Sequence, residues 1–182
     1  MKSAHANLRG CANYLIQLFY KTDKRYSCTR SKIGKLLSIL AFKYACKGIK
    51  LFEETIDRWP NCGTFIKETR FLVPVDVYVR DIDAVNPDGK KMIAGVELNH
   101  NACIPEFHQN ISGLLPNLKR DIEDVFFYFG AYSQVDLSDE LNPIVEYGRV
   151  CRPDGSVDLN EIAHLDKNLF PNNKVVEYIF KR

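Results

Sequence analysis

The spacing of apolar residues changes along the chain, and this change constrains the fold more than any other feature. In residues 4–47 apolar side chains recur every three or four positions, as in helices that bury one face. Residues 71–98 instead alternate in part around an NPDG turn sequence at residues 86–89, which predicts a β-hairpin. Helical spacing returns in residues 116–132. The pattern predicts a mainly α-helical (α+β) fold, a compact helical domain with an inserted β-hairpin.

The N-terminal part predicts two helices. The first spans residues 4–20, and the second begins at a cap from Thr29 or Ser31 and runs to about Lys47. Gly48 follows the last turn of the second helix, where a left-handed stop is common. Gly34 costs about 1 kcal/mol relative to alanine inside a helix, which indicates close packing there. The apolar stripe of the second helix is Ile33, Leu36, Leu37, Leu40, Tyr44 and Ala45.

Shorter elements follow on both sides of the hairpin. Proline and glycine predict a loop over residues 59–63, and residues 65–70 predict a helical turn. A helix over 137–146 has Ser138 as its possible cap, and Asn142-Pro143 is expected to break or restart it. Residues 152–155 predict a turn. Residues 159–165 predict a helix, and residues 175–180 a last strand or helical turn.

The length of 182 residues favours one domain. We expect its core in residues 4–66 and 116–148. The hairpin, at about 71–100, is an insertion, and residues 149–182 form a short C-terminal extension.

Charge is divided by position along the chain. Residues 1–50 carry eleven Lys/Arg and one acid, a net charge of +10, whereas residues 51–182 carry fourteen Lys/Arg and twenty-two acids, a net charge of −8. This division can recruit an acidic partner, or it can hold the two parts of the chain against each other. Both interpretations stay open at this point, and the overall charge of +2 gives no general attraction to nucleic acid.

The sequence predicts a cytoplasmic protein with reduced thiols and no membrane partner. Residues 1–10 are polar and basic, without the apolar segment of a secretory signal. No apolar run approaches the roughly 20 residues that a membrane helix needs. The six cysteines are widely spaced and form no Cys-x-x-Cys pair, so most are expected to be small buried apolar side chains.

Residues 29–66 read TRSKIGKLLSILAFKYACKGIKLFEETIDRWPNCGTFI and carry an ordered set of markers. These are Lys32, Lys35, Leu36, Leu37, Leu51, Phe52, Trp59 and Gly63. The set resembles the Panacea domain, a family that includes phage-associated proteins and many antitoxins of toxin–antitoxin pairs. The resemblance covers residues 8–66 and 116–148. This chain departs from the family at Arg58, where a small residue is usual, and at Thr64-Phe65, which replace Pro-Val.

The resemblance implies an antitoxin-like or adaptor protein that neutralises a cognate toxin by direct binding, without a cofactor. Lys32 and Lys35 are three positions apart, so they share one helix flank, which is expected to be solvated. Trp59 lies on a predicted loop, where an aromatic beside basic groups is typical of a protein-binding hot spot. Trp59 could equally cap the core against the second helix. The predicted partner-binding residues are Lys32, Lys35, Phe52, Trp59 and Gly63.

Two other classes of function remain open. The basic residues 1–50 include four tyrosines, so they could contact phosphates and stack on nucleic-acid bases, although no helix-turn-helix spacing is present. A hydrolase or metal site could use Cys62, His100, Cys103 and His108. These residues have no established zinc-ligand spacing, and the chain has no nucleophile elbow, Walker loop or His-Glu-x-x-His motif. The sequence therefore favours a binding protein over an enzyme.

Overall fold

Helices dominate the structure, a computed structural model that describes residues 1–22, 28–59, 63–71, 79–85, 87–98 and 115–181. The α-helices within these ranges are α1 (Leu8–Lys21), α2 (Arg30–Ala45), α3 (Leu118–Phe129), α4 (Gln134–Tyr147), α5 (Leu159–Ile162) and α6 (Lys174–Ile179). A 3-10 turn spans Lys67–Phe71 and another spans Lys167–Leu169. The predicted mainly α-helical, α+β fold is confirmed.

The strands of the described ranges form three separate two-stranded sheets. Their bounds are β1 (Lys2–Ser3), β2 (Ile49–Lys50), β3 (Ile56–Trp59), β4 (Gly63–Ile66), β5 (Val79–Val85) and β6 (Lys91–Leu98). Strands β1 and β2 pair in parallel, whereas β3–β4 and β5–β6 are antiparallel hairpins. The predicted hairpin is confirmed as β5–β6, while residues 72–78 of its predicted first strand lie outside the described residues.

The sequence missed the hairpin formed by β3 and β4. Its strands pair Ile56 with Ile66 and Trp59 with Gly63, so Trp59 ends a strand instead of lying within a loop. Asp57 also bridges to Ser156 in the C-terminal part of the chain. Four-residue strands give too little alternation to be recognised beside the Pro and Gly signals of residues 59–63.

The predicted Thr29 cap of α2 is present, whereas α1 begins at Leu8, later than the predicted residue 4, after a cap at Asn7 that the sequence analysis did not identify. The Asn7 side chain accepts a hydrogen bond from the Gly10 N–H, and the Thr29 side chain accepts one from the Lys32 N–H. Both bonds satisfy backbone donors that have no partner within the helix. Gly48, with φ of +73°, follows α2 in the left-handed conformation that the sequence predicted.

Helix α2 lies at the centre of the fold, and helices α1, α3, α4, α5 and α6 and strand β4 all contact it. Its buried residues therefore extend beyond the predicted stripe to Ile39, Ala41 and Phe42. A helix that is apolar on all sides is expected in the interior of a domain. The prediction of one solvated flank on this helix is wrong for this reason.

Proline does not break α4 as the sequence predicted. The helix runs through Pro143, and its N-cap is Ser133 instead of the predicted Ser138, which lies within the helix. Ser133 and Asp136 form a capping box. An internal proline costs about 3 kcal/mol. The helix buries Leu137, Leu141, Ile144 and Val145 completely. Because each such side chain contributes about 1.5–3 kcal/mol, their burial outweighs the cost of the proline.

Residues 149–181, the predicted C-terminal extension, pack into the same core as the N-terminal helices. Val150, Val175, Val176 and Ile179 are buried with the residues of the N-terminal helices. The predicted turn at residues 152–155 is present, with Gly155 at φ of +86° and Cys151 bridged to Val157. The last element is a helix, and α5 is shorter than the sequence indicated.

The β5–β6 hairpin contacts the helical core through its second strand. Val96 is buried, and its N–H donates a hydrogen bond of 2.8 Å to the Cys28 carbonyl, just before α2. Strand β6 also lies against α1. These contacts favour the interpretation that the hairpin braces the helices, which the sequence analysis preferred to an edge strand for a partner.

We expect Gly34→Ala to lower the free energy of unfolding by about 1–2 kcal/mol. An added Cβ would lie 2.5 Å from Thr69 Oγ1 and 3.0 Å from the Ile66 carbonyl oxygen. Overpacking of this kind costs typically 1–3 kcal/mol, which exceeds the gain of about 1 kcal/mol in helix propensity. Denaturant unfolding measures the change.

Gly10→Ala is the matched control, because a Cβ at this α1 glycine would meet its nearest atom at an ordinary 3.5 Å. We expect it to be neutral or stabilising. Equal destabilisation by the two substitutions would contradict close packing at Gly34.

Candidate functional site

Lys32 and Lys35 lie in the interior, with only 1% and 2% of their surface exposed. The Lys32 Nζ donates a hydrogen bond of 2.8 Å to the Gly130 carbonyl and lies 4.9 Å from the centre of the Phe19 ring. The Lys35 Nζ lies 5.8 Å from the centre of the Phe65 ring. Both ammonium groups are thus placed against aromatic faces inside the chain, and a partner on the surface would not meet them.

Phe52 and Gly63, two more of the predicted site residues, are also buried and packed against other parts of the chain. Phe52 is buried in the core. Gly63 has φ of +82°, and a Cβ at this position would lie 2.8 Å from Ser138 Oγ and 3.1 Å from Asn142 Oδ1. Gly63 is therefore required where β4 begins against α4. The partner-binding role of these residues stays a prediction.

Trp59 is the predicted site residue that the structure exposes, at 37% of its surface. Its ring lies 6.4 Å from the ring of the buried Phe65, so one side of the indole contacts the core. Trp59 therefore has features of both sequence-based interpretations: one side covers the core, and the other is accessible to a partner. The indole is positioned by a strand and is accessible at the surface.

The Trp59 hairpin, defined as β3 and β4, is attached to α4 at two places. Arg58 donates hydrogen bonds of 2.9 and 2.6 Å from Nε and Nη2 to Glu146 Oε1. The backbone N–H and hydroxyl of Thr64 donate to Asn142 Oδ1 at 3.1 and 3.2 Å. Arg58 Nη1 also donates to the Trp59 carbonyl at 2.7 Å. Arg58 therefore supplies a contact that orients the strand carrying Trp59.

The predicted Cys/His site cannot be located, because Cys62, His100, Cys103 and His108 lie outside the described residues. Among the residues that the structure describes, no group of three or more His, Cys, Asp or Glu could hold a metal ion. Burial raises the pKa of the Cys11 and Cys28 thiols to about 12 and that of Cys46 to about 11. These three thiols therefore stay protonated at neutral pH and are poor nucleophiles.

Basic side chains from residues 1–50 bind acidic groups from the rest of the chain. Lys43 Nζ donates to Asp121 Oδ1 at 2.7 Å, and the Tyr14 hydroxyl donates to Glu123. Lys50 forms a salt bridge with Glu53. Only Lys43–Asp121 among these contacts joins opposite charges from distant parts of the chain, because the Tyr14 phenol is uncharged and Lys50 and Glu53 are three residues apart. At that contact the divided charge holds the two parts against each other, as the second of the two sequence-based interpretations proposed.

A buried polar network connects α2, α3 and α6. Asp121 accepts hydrogen bonds from Lys43 and, at 2.8 Å, from the Tyr44 hydroxyl, while Lys43 also donates to the Tyr178 hydroxyl at 3.2 Å. Burial and the bond to Asp121 raise the pKa of Tyr44. Burial alone would lower the pKa of Lys43, but its bonds to Asp121 and Tyr178 outweigh that effect and raise it. The network therefore consists of a charged pair and two protonated phenols.

The sequence analysis missed an aromatic cleft between α3 and α6. The cleft has a volume of about 340 Å³. Its aromatic lining comes from Tyr128, Phe129, Tyr132 and Tyr178, and its charged lining from Lys174, Glu177 and Lys181. The density of aromatics in residues 126–132 (FFYFGAY) was the available signal. Pockets lined by aromatics with a few charged groups are typical of binding sites.

No protein-family model, no curated protein and no solved structure matches this chain. The resemblance to the Panacea domain therefore rests on the sequence markers of residues 32–63. Within the described ranges, no helix is both long enough and apolar enough to cross a membrane.

Proposed function

We propose that this chain is an antitoxin-like or adaptor protein that neutralises a partner protein by covering its active or target-binding surface. The observation that carries the proposal is the accessible indole of Trp59 on a hairpin attached to α4. Tryptophan is enriched among the residues that dominate binding energy at protein interfaces. The Panacea-like markers of residues 32–63 support the same class of function.

The attachment of the Trp59 hairpin favours binding by a preformed surface. Arg58 Nε and Nη2 both donate to the same Glu146 oxygen, Oε1, and the Thr64–Asn142 contact fixes the second strand. Association costs free energy for each side chain or loop that must become ordered. A hairpin whose strands are already positioned avoids part of this cost, so Trp59 can contribute more of its contact energy to binding.

The positions of the basic side chains favour a protein partner over a nucleic acid. Lys32 and Lys35 are buried, and Lys43 is paired with Asp121. Nucleic-acid binding depends on basic groups at the surface that displace counterions from phosphates. These three lysines do not contribute to such a surface, which reduces the basic excess of residues 1–50 that a polyanion could contact.

We expect Trp59→Ala to weaken binding of the cognate partner by about 30-fold or more, which corresponds to about 2 kcal/mol for a hot-spot residue. The wild-type chain would first capture its partner from the native host. The purified partner would then be titrated against wild-type and variant chains by calorimetry. Thermal unfolding would confirm that the variant keeps its fold.

Tyr20→Ala is the matched control, because Tyr20 on α1 has 38% of its surface exposed and Trp59 has 37%. We expect the control to bind as the wild type does. Partner binding that survives Trp59→Ala would exclude the Trp59 hairpin as the interface. Capture of nucleic acid with a steep salt dependence, instead of a protein, would refute the proposed function.

A further inference from the structure

The aromatic cleft between α3 and α6 has a preformed floor. The Tyr178 ring lies 5.3 Å from that of Tyr128 and 5.4 Å from that of Phe129, and the Phe129 ring lies 5.5 Å from that of Tyr132. These are edge-to-face or tilted contacts at distances that stabilise aromatic pairs. The hydroxyl of Tyr178 is held by Lys43 in the buried network below. Phe129 and Tyr178 are 2% and 7% exposed, so they support the floor, and its accessible ring surface comes mainly from Tyr128, which is 44% exposed.

Charges of opposite sign lie on the two sides of Tyr132. On one side lies Lys181, whose Nζ donates a hydrogen bond of 3.2 Å to the Tyr128 hydroxyl and is 5.4 Å from the centre of that ring. Lys174 is paired with Glu177 and its backbone N–H donates to Glu140 Oε2 at 2.7 Å, so Lys181 supplies the positive charge of this side. On the other side Tyr132 lines a shallow acidic cleft with Asp136, Asp139 and Glu140. A ligand that lies across Tyr132 would thus meet an ammonium group at the Lys181 end and carboxylates at the other.

The aromatic surface continues beyond the cleft. Phe127 has 80% of its surface exposed, and its ring lies 5.5 Å from that of Tyr128 in an edge-to-face contact. Exposed apolar groups that adjoin a pocket are typical of protein-interaction sites. A small ligand that filled about 340 Å³ would leave Phe127 uncovered, whereas a peptide segment could cover both.

We propose that this cleft binds a short segment of a partner protein in which an aromatic side chain is flanked by carboxylates on one side and by basic residues on the other. The aromatic side chain occupies the floor formed by Tyr128, Phe129 and Tyr178. The carboxylates lie near Lys181, and the basic residues lie near Asp136 and Asp139. Complementary charges at the two ends set the direction in which the segment lies. This inference rests on the proposed function only in taking the partner to be a protein.

The test uses labelled five-residue peptides and the full chain. Two peptides carry a central phenylalanine with two glutamates on one side and two lysines on the other, in the two chain directions. One control peptide has alanine at the centre, and another has glutamine at all four charged positions. Fluorescence anisotropy measures binding. We expect one direction to bind at least about tenfold more tightly than either control peptide.

Variants of the full chain test whether the peptide binds in the cleft. We expect Tyr128→Ala and Lys181→Glu each to weaken binding of the more tightly bound peptide at least about fivefold, because both side chains are exposed parts of the cleft. Tyr147→Ala, a change at an exposed tyrosine of α4, is expected to leave binding unchanged. Equal binding of the alanine peptide, or full binding by Tyr128→Ala, would overturn the proposal.

Other occupants give different results. Tighter binding of adenosine monophosphate or phenylacetate than of any peptide, abolished by Tyr128→Ala, would overturn the proposal in favour of a small-molecule site. Dimerisation in sedimentation that Tyr128→Ala abolishes would assign the cleft to a second copy of the chain.

Failure of the proposed function can be distinguished from failure of this inference. If Trp59→Ala weakens the cognate partner, no peptide binds and Tyr128→Ala has no effect, the cleft proposal fails alone. If the peptides bind in a Tyr128-dependent manner but no protein partner is captured, the proposed function fails alone.

Discussion

Asp121→Ala is expected to lower the free energy of unfolding by about 3 kcal/mol, the lower end of the range for breaking a buried ion pair, because the Lys43 side chain is 12% exposed and keeps its bond to Tyr178. Asp121 is buried, and it accepts hydrogen bonds from Lys43 at 2.7 Å and from Tyr44 at 2.8 Å. Its removal leaves an ammonium group and a phenol without their shared acceptor in a region that water reaches poorly. A charge that is buried without a counter-charge costs more than the pair contributed, so the loss exceeds that of a surface salt bridge. Denaturant unfolding with an unchanged slope would measure it.

Two further variants separate the buried pair from a general effect of substitution. Asp139→Ala, at an exposed position of α4, is expected to change stability by less than about 0.5 kcal/mol. Lys43→Met in the Asp121→Ala background removes the uncompensated charge, so the double variant is expected to be more stable than Asp121→Ala alone. The cycle also needs the single Lys43→Met variant. If the double variant loses as much stability as Asp121→Ala and Lys43→Met lose together, Lys43 and Asp121 are not energetically coupled.

The helices could be predicted from the sequence because their signals are local. Thr29 before α2 and Gly48 after it are recognised by their own residue types, and the stripe from Ile33 to Ala45 repeats within a single element. The buried network gives no such signal, since Asp121 is far from Lys43 in sequence and looks like an ordinary surface acid of α3. Contacts between distant segments depend on how the helices pack, which periodicity does not specify.

The expectation of a solvated flank failed because α2 is buried on all sides and not along one stripe. Lys32 and Lys35 were expected on a solvated flank because charged residues usually solvate a helix. Ile39, Ala41 and Phe42, which lie off the predicted stripe, were the signal that this helix has no solvated side. Trp59 could be identified because it is a single tryptophan beside Pro and Gly, although the strand that carries it was missed.

The aromatic cleft could not be predicted as a site, since its two sides come from separate segments. Tyr128 belongs to α3 and Tyr178 to α6, and their rings come within 5.3 Å only after both helices pack on α2. The aromatics of residues 126–132 alone are consistent with a buried helix face. Which of them are exposed is decided by helix geometry, since Phe127 is 80% exposed and Phe129 only 2%.

We expect Phe129→Ala to lower the free energy of unfolding by about 3–5 kcal/mol, the range for truncation of a buried phenylalanine. Phe129 is 2% exposed, and its ring contacts Tyr132 at 5.5 Å and Tyr178 at 5.4 Å. Alanine would leave a cavity at the point where α3, α6 and the floor of the cleft meet. Thermal and denaturant unfolding would both report the change.

Phe127→Ala is the matched control, because it makes the same substitution two positions earlier in the same helix. Phe127 is 80% exposed, so its removal is expected to change stability by less than about 0.5 kcal/mol. Side chains two positions apart on a helix point to different sides, and only the Phe129 side faces the core. Equal losses from the two substitutions would contradict this packing of α3. Unequal losses would locate Phe127 on the surface that we propose a partner segment covers.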